Sequence, residues 1–123
     1  MLTHNDLFMY LENVFPLEYQ EDNDNSGRQI SFDNDVVTGI LIAMDISPII
    51  INEAREQSCN CIITHHPLFF KPIKNISVKS VFGLMVITCI QHSISVFAGH
   101  TNVDAVCWDL LAKTLGLGNI QLL

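Results

Sequence analysis

The chain has 123 residues, of which 49% are hydrophobic and 15% are charged, and its formal net charge is −7. These values indicate one globular domain rather than a disordered chain. Its 6 lysines and arginines cannot supply the clustered cations that displace counterions from a nucleic acid. We therefore expect no direct nucleic-acid partner.

The sequence also bears on cellular location. No basic start is followed by an apolar run, so we expect no signal peptide, and the longest apolar segments are too short or too interrupted to span a bilayer. In that setting the cysteines are expected to be reduced core thiols, namely Cys59, Cys61, Cys89 and Cys107. We predict a cytoplasmic protein that does not bind membranes.

Helical and strand patterns alternate along the chain. Amphipathic spacing predicts a first helix at residues 4–15, and the polar stretch 18–34 predicts a loop. Short apolar runs predict three strands, at 36–44, 60–64 and 94–98. Further helices are predicted at 48–57, 77–92 and 105–115. This alternation predicts an α/β fold, a three-layer α/β/α domain over residues 1–123 with a mostly parallel sheet.

Two polar clusters follow predicted strands. Thr64-His65-His66-Pro67 comes after the second strand, and the segment from His100 to Asp104 comes after the third. Because the carboxyl ends of parallel strands share one edge of a sheet, both clusters are expected at that edge. Neighbouring strands lie about 4.8 Å apart, so side chains from adjacent strand ends can meet at one ion. Imidazole and carboxylate side chains are suitable ligands for zinc, iron or manganese, and the adjacent histidines are better placed to hold two ions than one.

These residues also allow plainer interpretations. Adjacent histidines are often only polar loop residues, and Asp104 could be the N-cap of the last helix and nothing more. Cys59-x-Cys61 is a poor zinc motif, since Cys61 precedes His65 by about 13 Å of extended strand. Lys71 and Lys74 flank the histidine loop, where they would be solvated cations or would attract an anionic ligand.

The same motifs resemble those of the NIF-three-like family, whose members are also called type 2 homologues of GTP cyclohydrolase I. The resemblance is carried by the histidine-pair loop from Ile62 to Pro72 and by Ala98-Gly99-His100-Thr101-Asn102-Val103-Asp104. It extends to Asp24-Asn25-Ser26-Gly27, to the strand from Ile40 to Asp45, and to the segment from Leu111 to Leu117. From about residue 7 to 117, the chain resembles the N-terminal half of a family member.

The resemblance implies a dinuclear metal site with His65, His66 and Asp104 as ligands. It also implies a ring-like homo-oligomer of the full-length form, commonly a hexamer, and hydrolytic activity is the usual suggestion for the family. The family completes its site with a His-x-x-x-Glu motif that these 123 residues do not contain. We therefore expect one or two divalent ions, zinc, manganese or iron, with one bound more readily than two.

Two functions fit these expectations. The first is a metal-dependent hydrolase that acts on an anionic, phosphate- or nucleotide-like small molecule, and the second is a non-catalytic metal-binding or assembly module. A phosphoesterase with an Asp-His-His motif fits less well, because Thr64 stands where that motif has Asp. We also predict that Phe69, Phe70 and Trp108 lie either in the core or at an interface, which light scattering would test.

Overall fold

Four strands form one sheet in the order β1-β4-β3-β2. The computed structural model describes residues 1–121. The strands are β1 (Gly27–Ile30), β2 (Ile40–Ala43), β3 (Cys61–Thr64) and β4 (Ser95–Ala98). Strands β2, β3 and β4 are parallel to one another, whereas β1 pairs antiparallel with β4. The mostly parallel α/β fold predicted from the sequence is therefore confirmed.

Helices cover both faces of this sheet. They are α1 (His4–Val14), α2 (Pro48–Glu56), α3 (Val81–Gln91), α4 (Thr101–Cys107) and α5 (Leu110–Thr114), with a short 3₁₀ helix at Leu17–Tyr19. Three of them, α1, α2 and α3, begin at a residue whose side chain caps the helix. Ser47 Oγ accepts the N–H of Ile50 ahead of Pro48, and Ser80 Oγ accepts the N–H of Gly83.

Alternating strand residues divide the core between the two faces. On one face, Ile62 and Val96 pack with α2 and α3 through Ile51, Ala54 and Cys89. On the other face, the strand residues Cys61 and Phe97 pack with Leu7 and Phe8 of α1. The three layers are thus α2 and α3, the sheet, and α1, as the period-2 alternation of strand side chains requires.

Several predicted boundaries were wrong. The helix predicted at 77–92 begins at Val81, and the strand predicted at 36–44 covers only Ile40–Ala43. Before that strand, the backbone N–H of Thr38 binds the side chain of Asn60 rather than a neighbouring strand. The single helix predicted at 105–115 is replaced by α4 and α5, and α4 begins four residues early.

Strand β1 lies in the stretch that the sequence predicted as a loop. Its pattern was missed because Arg28 and Gln29 make it polar. Arg28 is half-buried on this strand because Glu12 accepts hydrogen bonds from its Nε and Nη2 at 2.8 and 3.0 Å. The hydrogen bonds to Glu12 also raise the pKa of Arg28 above its ordinary value. Hydrogen bonds to polar side chains thus hold strand β1, where an apolar pattern would have been expected.

The remaining predictions about surface and core have mixed outcomes. Phe70 and Trp108 are about half exposed and Phe69 is partly buried, so they are not core residues, and their place at an interface stays a prediction.

All four cysteines, which lie within residues 1–121, are free thiols. Burial raises the pKa of Cys61 to about 12 and of Cys89 to about 11. None of the helices in the described part of the chain has the length and hydropathy to cross a bilayer.

Candidate metal centre

Every strand delivers polar residues to the same edge of the sheet. Asp45 follows β2, His65 and His66 follow β3, and His100 follows β4. Strand β1 runs antiparallel and begins at this edge, because its first residue, Gly27, is paired with Ala98 at the end of β4. Asp24, three residues before β1, therefore lies at the same edge. The edge thus gathers residues that are up to 76 positions apart in the sequence, as between Asp24 and His100.

Each of the three histidines at this edge is held through Nδ1. The partner of His65 is the carbonyl oxygen of Gly99 at 2.9 Å. His66 is bound to Oδ1 of Asp45 at 2.7 Å, and His100 to Oδ1 of Asp24 at 2.8 Å. A carbonyl or carboxylate oxygen can only accept, so each neutral ring donates from Nδ1 and keeps the lone pair on Nε2.

The three rings are close enough to act on one ligand. Each offers one nitrogen, and these atoms lie within 4.8 Å of one another. The ring centroids of His65 lie 5.1 Å from those of both His66 and His100. Metal-binding histidines usually donate their second nitrogen to a carboxylate or carbonyl oxygen, and all three rings here show that arrangement.

Asp104 lies beside this cluster rather than within it. It is in the first turn of α4, and its Oδ2 is 3.8 Å from Nε2 of His65. Ligands at about 2.1 Å from one ion lie up to about 4.2 Å apart, so this pair could share an ion. The alternative that Asp104 is only a helix N-cap was wrong, because His100 occupies the cap position of α4.

The three predicted ligands therefore lie at one edge, and His65 is close to both others, although their role as ligands stays a prediction. His100, Asp24 and Asp45 were not among the predicted site residues. All three stand in motifs that the sequence analysis quoted, and His100 stands in the same cluster as Asp104. The sequence signal was present, but only the fold shows that these side chains meet.

The carboxylate of Asp24 is the most buried acid at the centre, with 2% of its side chain exposed. Burial alone would raise its pKa, but hydrogen bonds from Thr101 and His100, with others from Asn25 and Ser26, outweigh burial. The net result is a pKa well below the usual range of an aspartate. Asp24 is therefore a fixed negative charge beside His100.

An open cavity of about 620 Å³ lies beside His100. It is lined by His100, Thr101, Phe70 and the segment 21–24. The Phe70 ring lies 6.0 Å from the His100 ring, nearly perpendicular to it at 80°. A second groove, which shares Asn23, Asp24 and Phe70 with this cavity, includes Lys71.

Fold and cluster together define a class: an α/β domain with three imidazoles and nearby carboxylates at the carboxyl edge of its parallel strands. The family model described as Duf34/NIF3 (NGG1p interacting factor 3) matches residues 2–123. The chain belongs to this family, as the sequence motifs predicted.

Relatives and solved structures agree with that assignment. The chain is 38% identical over 121 residues to the GTP cyclohydrolase 1 type 2 homolog of Staphylococcus aureus (strain COL), and these residues are 96% of the chain and 33% of that protein. The homolog from Bacillus subtilis (strain 168) is 32% identical over 95% of the chain and 32% of its own length. The chain thus spans about a third of these curated relatives.

Two solved structures show the same fold. A Bacillus cereus protein related to NIF3 superimposes with a TM-score of 0.86 at 36% identity, over 97% of this chain and 34% of that one. Reduced HcgD from Methanocaldococcus jannaschii gives a TM-score of 0.87 at 25% identity, over 98% of this chain and 49% of its own.

Proposed function

We propose that this chain is the divalent-metal-binding domain of a cytoplasmic metal-dependent hydrolase that acts on a phosphate- or nucleotide-like small molecule. The observation that carries the proposal is the orientation of the histidines. His65, His66 and His100 are each held at Nδ1 by an oxygen that can only accept a hydrogen bond. Each ring therefore keeps the lone pair on Nε2, which can bind a metal ion.

The donor set fits a transition ion. Neutral imidazoles with one carboxylate, Asp104, are the borderline ligands that zinc, manganese and iron accept in proteins. A divalent ion supplies Lewis acidity toward a phosphoryl or carbonyl oxygen and a source of hydroxide at neutral pH. The protein's own part is to hold the four side chains, and the open cavity beside His100 would admit water or substrate to the site.

The substrate class is supported by the surroundings of the cluster. Phe70 is 50% exposed, and its ring can pack against a flat group on a ligand that lies beside His100. Lys71, which lines the neighbouring groove together with Phe70, offers a cation to a phosphate. The relatives' name refers to GTP cyclohydrolase, which agrees with a nucleotide-like substrate.

Metal titration of the purified, chelator-treated chain tests the metal site. We expect binding of Zn²⁺ or Mn²⁺ in calorimetry and retention in elemental analysis, with loss in His65→Ala, His66→Ala and Asp104→Ala. His92→Ala is the matched control, because His92 is an exposed histidine at the end of α3. Acid should release the metal, since protonated imidazoles cannot bind it.

Equal metal content in the parent and in a His65→Ala/His66→Ala/Asp104→Ala triple variant would reject the site. A screen of phosphate esters and nucleotides with the metal-loaded chain then tests hydrolysis. Metal retention without turnover would favour the non-catalytic metal-binding module instead.

A further inference from the structure

Asp24 is the acceptor for five donor groups. Its Oδ1 accepts from Nδ1 of His100 at 2.8 Å and from the backbone N–H of Asn25 at 2.7 Å. Its Oδ2 accepts from the N–H of Thr101 at 3.2 Å, from the hydroxyl of Ser26 at 3.0 Å and from the hydroxyl of Thr101. No neutral side chain of the same shape has two oxygens that could accept all of these bonds.

The hydroxyl of Thr101 both accepts and donates a hydrogen bond at this site. Its oxygen accepts the backbone N–H of Glu21 at 3.0 Å, so its proton is free to be donated to Asp24. One carboxylate therefore joins the segment 21–25, which forms a wall of the cavity, to the first residue of α4 and to a ring of the histidine cluster.

We propose that Asp24 is a positioning residue that holds His100 in its Nδ1–H tautomer, with Nε2 directed at the histidine cluster, while it clamps the segment 21–25 against the start of α4. The consequence for metal affinity rests on the proposed function. The consequence for the tautomer of His100 does not, because it depends only on the carboxylate.

This role accounts for the motif Asp24-Asn25-Ser26-Gly27. Asn25 donates from Nδ2 to the carbonyl oxygen of Phe69 at 2.8 Å, which ties the motif to the histidine loop. Ser26 donates to Asp24. Gly27 has a φ of +98°, a conformation that other residues rarely adopt, and it turns the chain into β1. Each residue of the motif thus helps to place the carboxylate.

The substitution Asp24→Asn gives a directional test. Each carboxylate oxygen faces one backbone N–H, that of Asn25 at Oδ1 and that of Thr101 at Oδ2, so these two donors do not decide the orientation of the amide. The Thr101 hydroxyl, whose oxygen already accepts from Glu21, donates at Oδ2, so we expect the amide oxygen there and the amide nitrogen opposite His100. An amide N–H pointing at Nδ1 requires that nitrogen to accept, which moves the ring proton to Nε2. We therefore expect the tautomer of His100 to switch, and the lone pair that would bind metal to be lost.

The tautomer is measured by ¹H–¹⁵N correlation of the imidazole rings in the metal-free chain under mildly alkaline conditions. The parent should show Nδ1–H at His100 and Asp24→Asn should show Nε2–H. Asp35→Asn is the matched control, since it makes the same change at an exposed aspartate and should leave His100 unchanged. Thr101→Val removes one clamp contact but keeps the acceptor of His100, so it should keep the Nδ1–H tautomer.

Zinc titration of the same four proteins measures the consequence. Loss of the partner that orients a ligand typically costs about 10–100-fold in metal affinity, and we expect that loss in Asp24→Asn but not in Asp35→Asn. A merely structural role would lower the melting temperature of Asp24→Asn and Thr101→Val without switching the tautomer.

The outcomes separate the two proposals. A parent that shows Nδ1–H at His100 but binds no zinc would reject the metal function and leave the positioning role standing. A parent that shows Nε2–H would overturn the positioning role, even if Asp24→Asn does not fold. Unchanged tautomer and affinity in a folded Asp24→Asn would overturn it as well.

Discussion

Two histidines lie at opposite ends of β4, and they have different surroundings. His4 is fully buried, with Nδ1 2.7 Å from the hydroxyl of Ser95, the first residue of the strand, and its Nε2 has no partner among the described residues. His100 follows the other end of the strand, with Nδ1 on the carboxylate of Asp24 and its ring 5.1 Å from that of His65 and 5.7 Å from that of His66.

The difference lies in the partner and in the access. A hydroxyl can donate or accept, so Ser95 does not fix the tautomer of His4, whereas a carboxylate fixes that of His100. The ring of His4 is stacked on Phe8 in the core, whereas the ring of His100 lines an open cavity. His100 is a candidate ligand because an acceptor orients its ring and the ring is accessible from a cavity, and His4 has neither feature.

The largest expected effect comes from the same substitution at both histidines. His100→Phe and His4→Phe each keep a flat ring, but only the first removes a proposed ligand. We expect it to lower zinc affinity by at least the roughly 10–100-fold that loss of an outer-shell partner costs. His4→Phe should leave zinc affinity unchanged in calorimetry. Equal losses in the two variants would contradict the contrast between the two ends of β4.

The sequence carried enough information to predict the three parallel strands and the edge at which the histidines gather. Apolar runs bounded by caps, such as Ser47-Pro48 before α2, are local signals. Once the strands are parallel, His65 and Asp104 must lie at one edge, and the structure places them 3.8 Å apart. This part of the site followed from strand direction alone.

The partners of the histidines could not be predicted in the same way. Asp24 reaches His100 only because β1 runs antiparallel beside β4, and β1 has no apolar pattern to reveal it. The bond spans 76 positions and depends on the register of Gly27 with Ala98. Periodicity describes which face a side chain occupies, and it does not report which distant donor that side chain will meet.

A second prediction concerns the stability of the His4 end. The hydroxyl of Ser95 also accepts the backbone N–H of Phe32 at 3.0 Å, so Ser95→Ala leaves two polar groups without a partner. We expect a loss of about 2 kcal/mol in the free energy of unfolding, measured in urea. His4→Phe removes the unpartnered nitrogen together with one hydrogen bond, but its larger ring must fit a fully buried position, so we expect a loss of about 1–3 kcal/mol.

Ser31→Ala is the control for that experiment, since Ser31 is exposed at the end of β1 and should change stability by less than about 0.5 kcal/mol. If Ser95→Ala is no more destabilising than Ser31→Ala, the hydrogen bonds of the Ser95 hydroxyl to His4 and Phe32 do not stabilise the fold.

The smallest expected effect lies at Thr3, the residue that precedes His4. Thr3 caps α1, with its hydroxyl accepting the N–H of Asp6 at 3.2 Å while the Asp6 carboxylate accepts the N–H of Thr3 at 3.0 Å. Thr3→Ala should cost about 1 kcal/mol in urea unfolding, as loss of an N-cap usually does.

The contribution of Asp6 should depend on pH, because the backbone and side-chain hydrogen bonds from Thr3 lower its pKa. A lowered folded-state pKa means that this stabilisation is complete above about pH 4 and is lost as the pH falls through the lower folded value. The stability difference between the parent and Asp6→Asn should therefore shrink in acid, and a difference that grows there would show that the carboxylate does not cap the helix that carries His4.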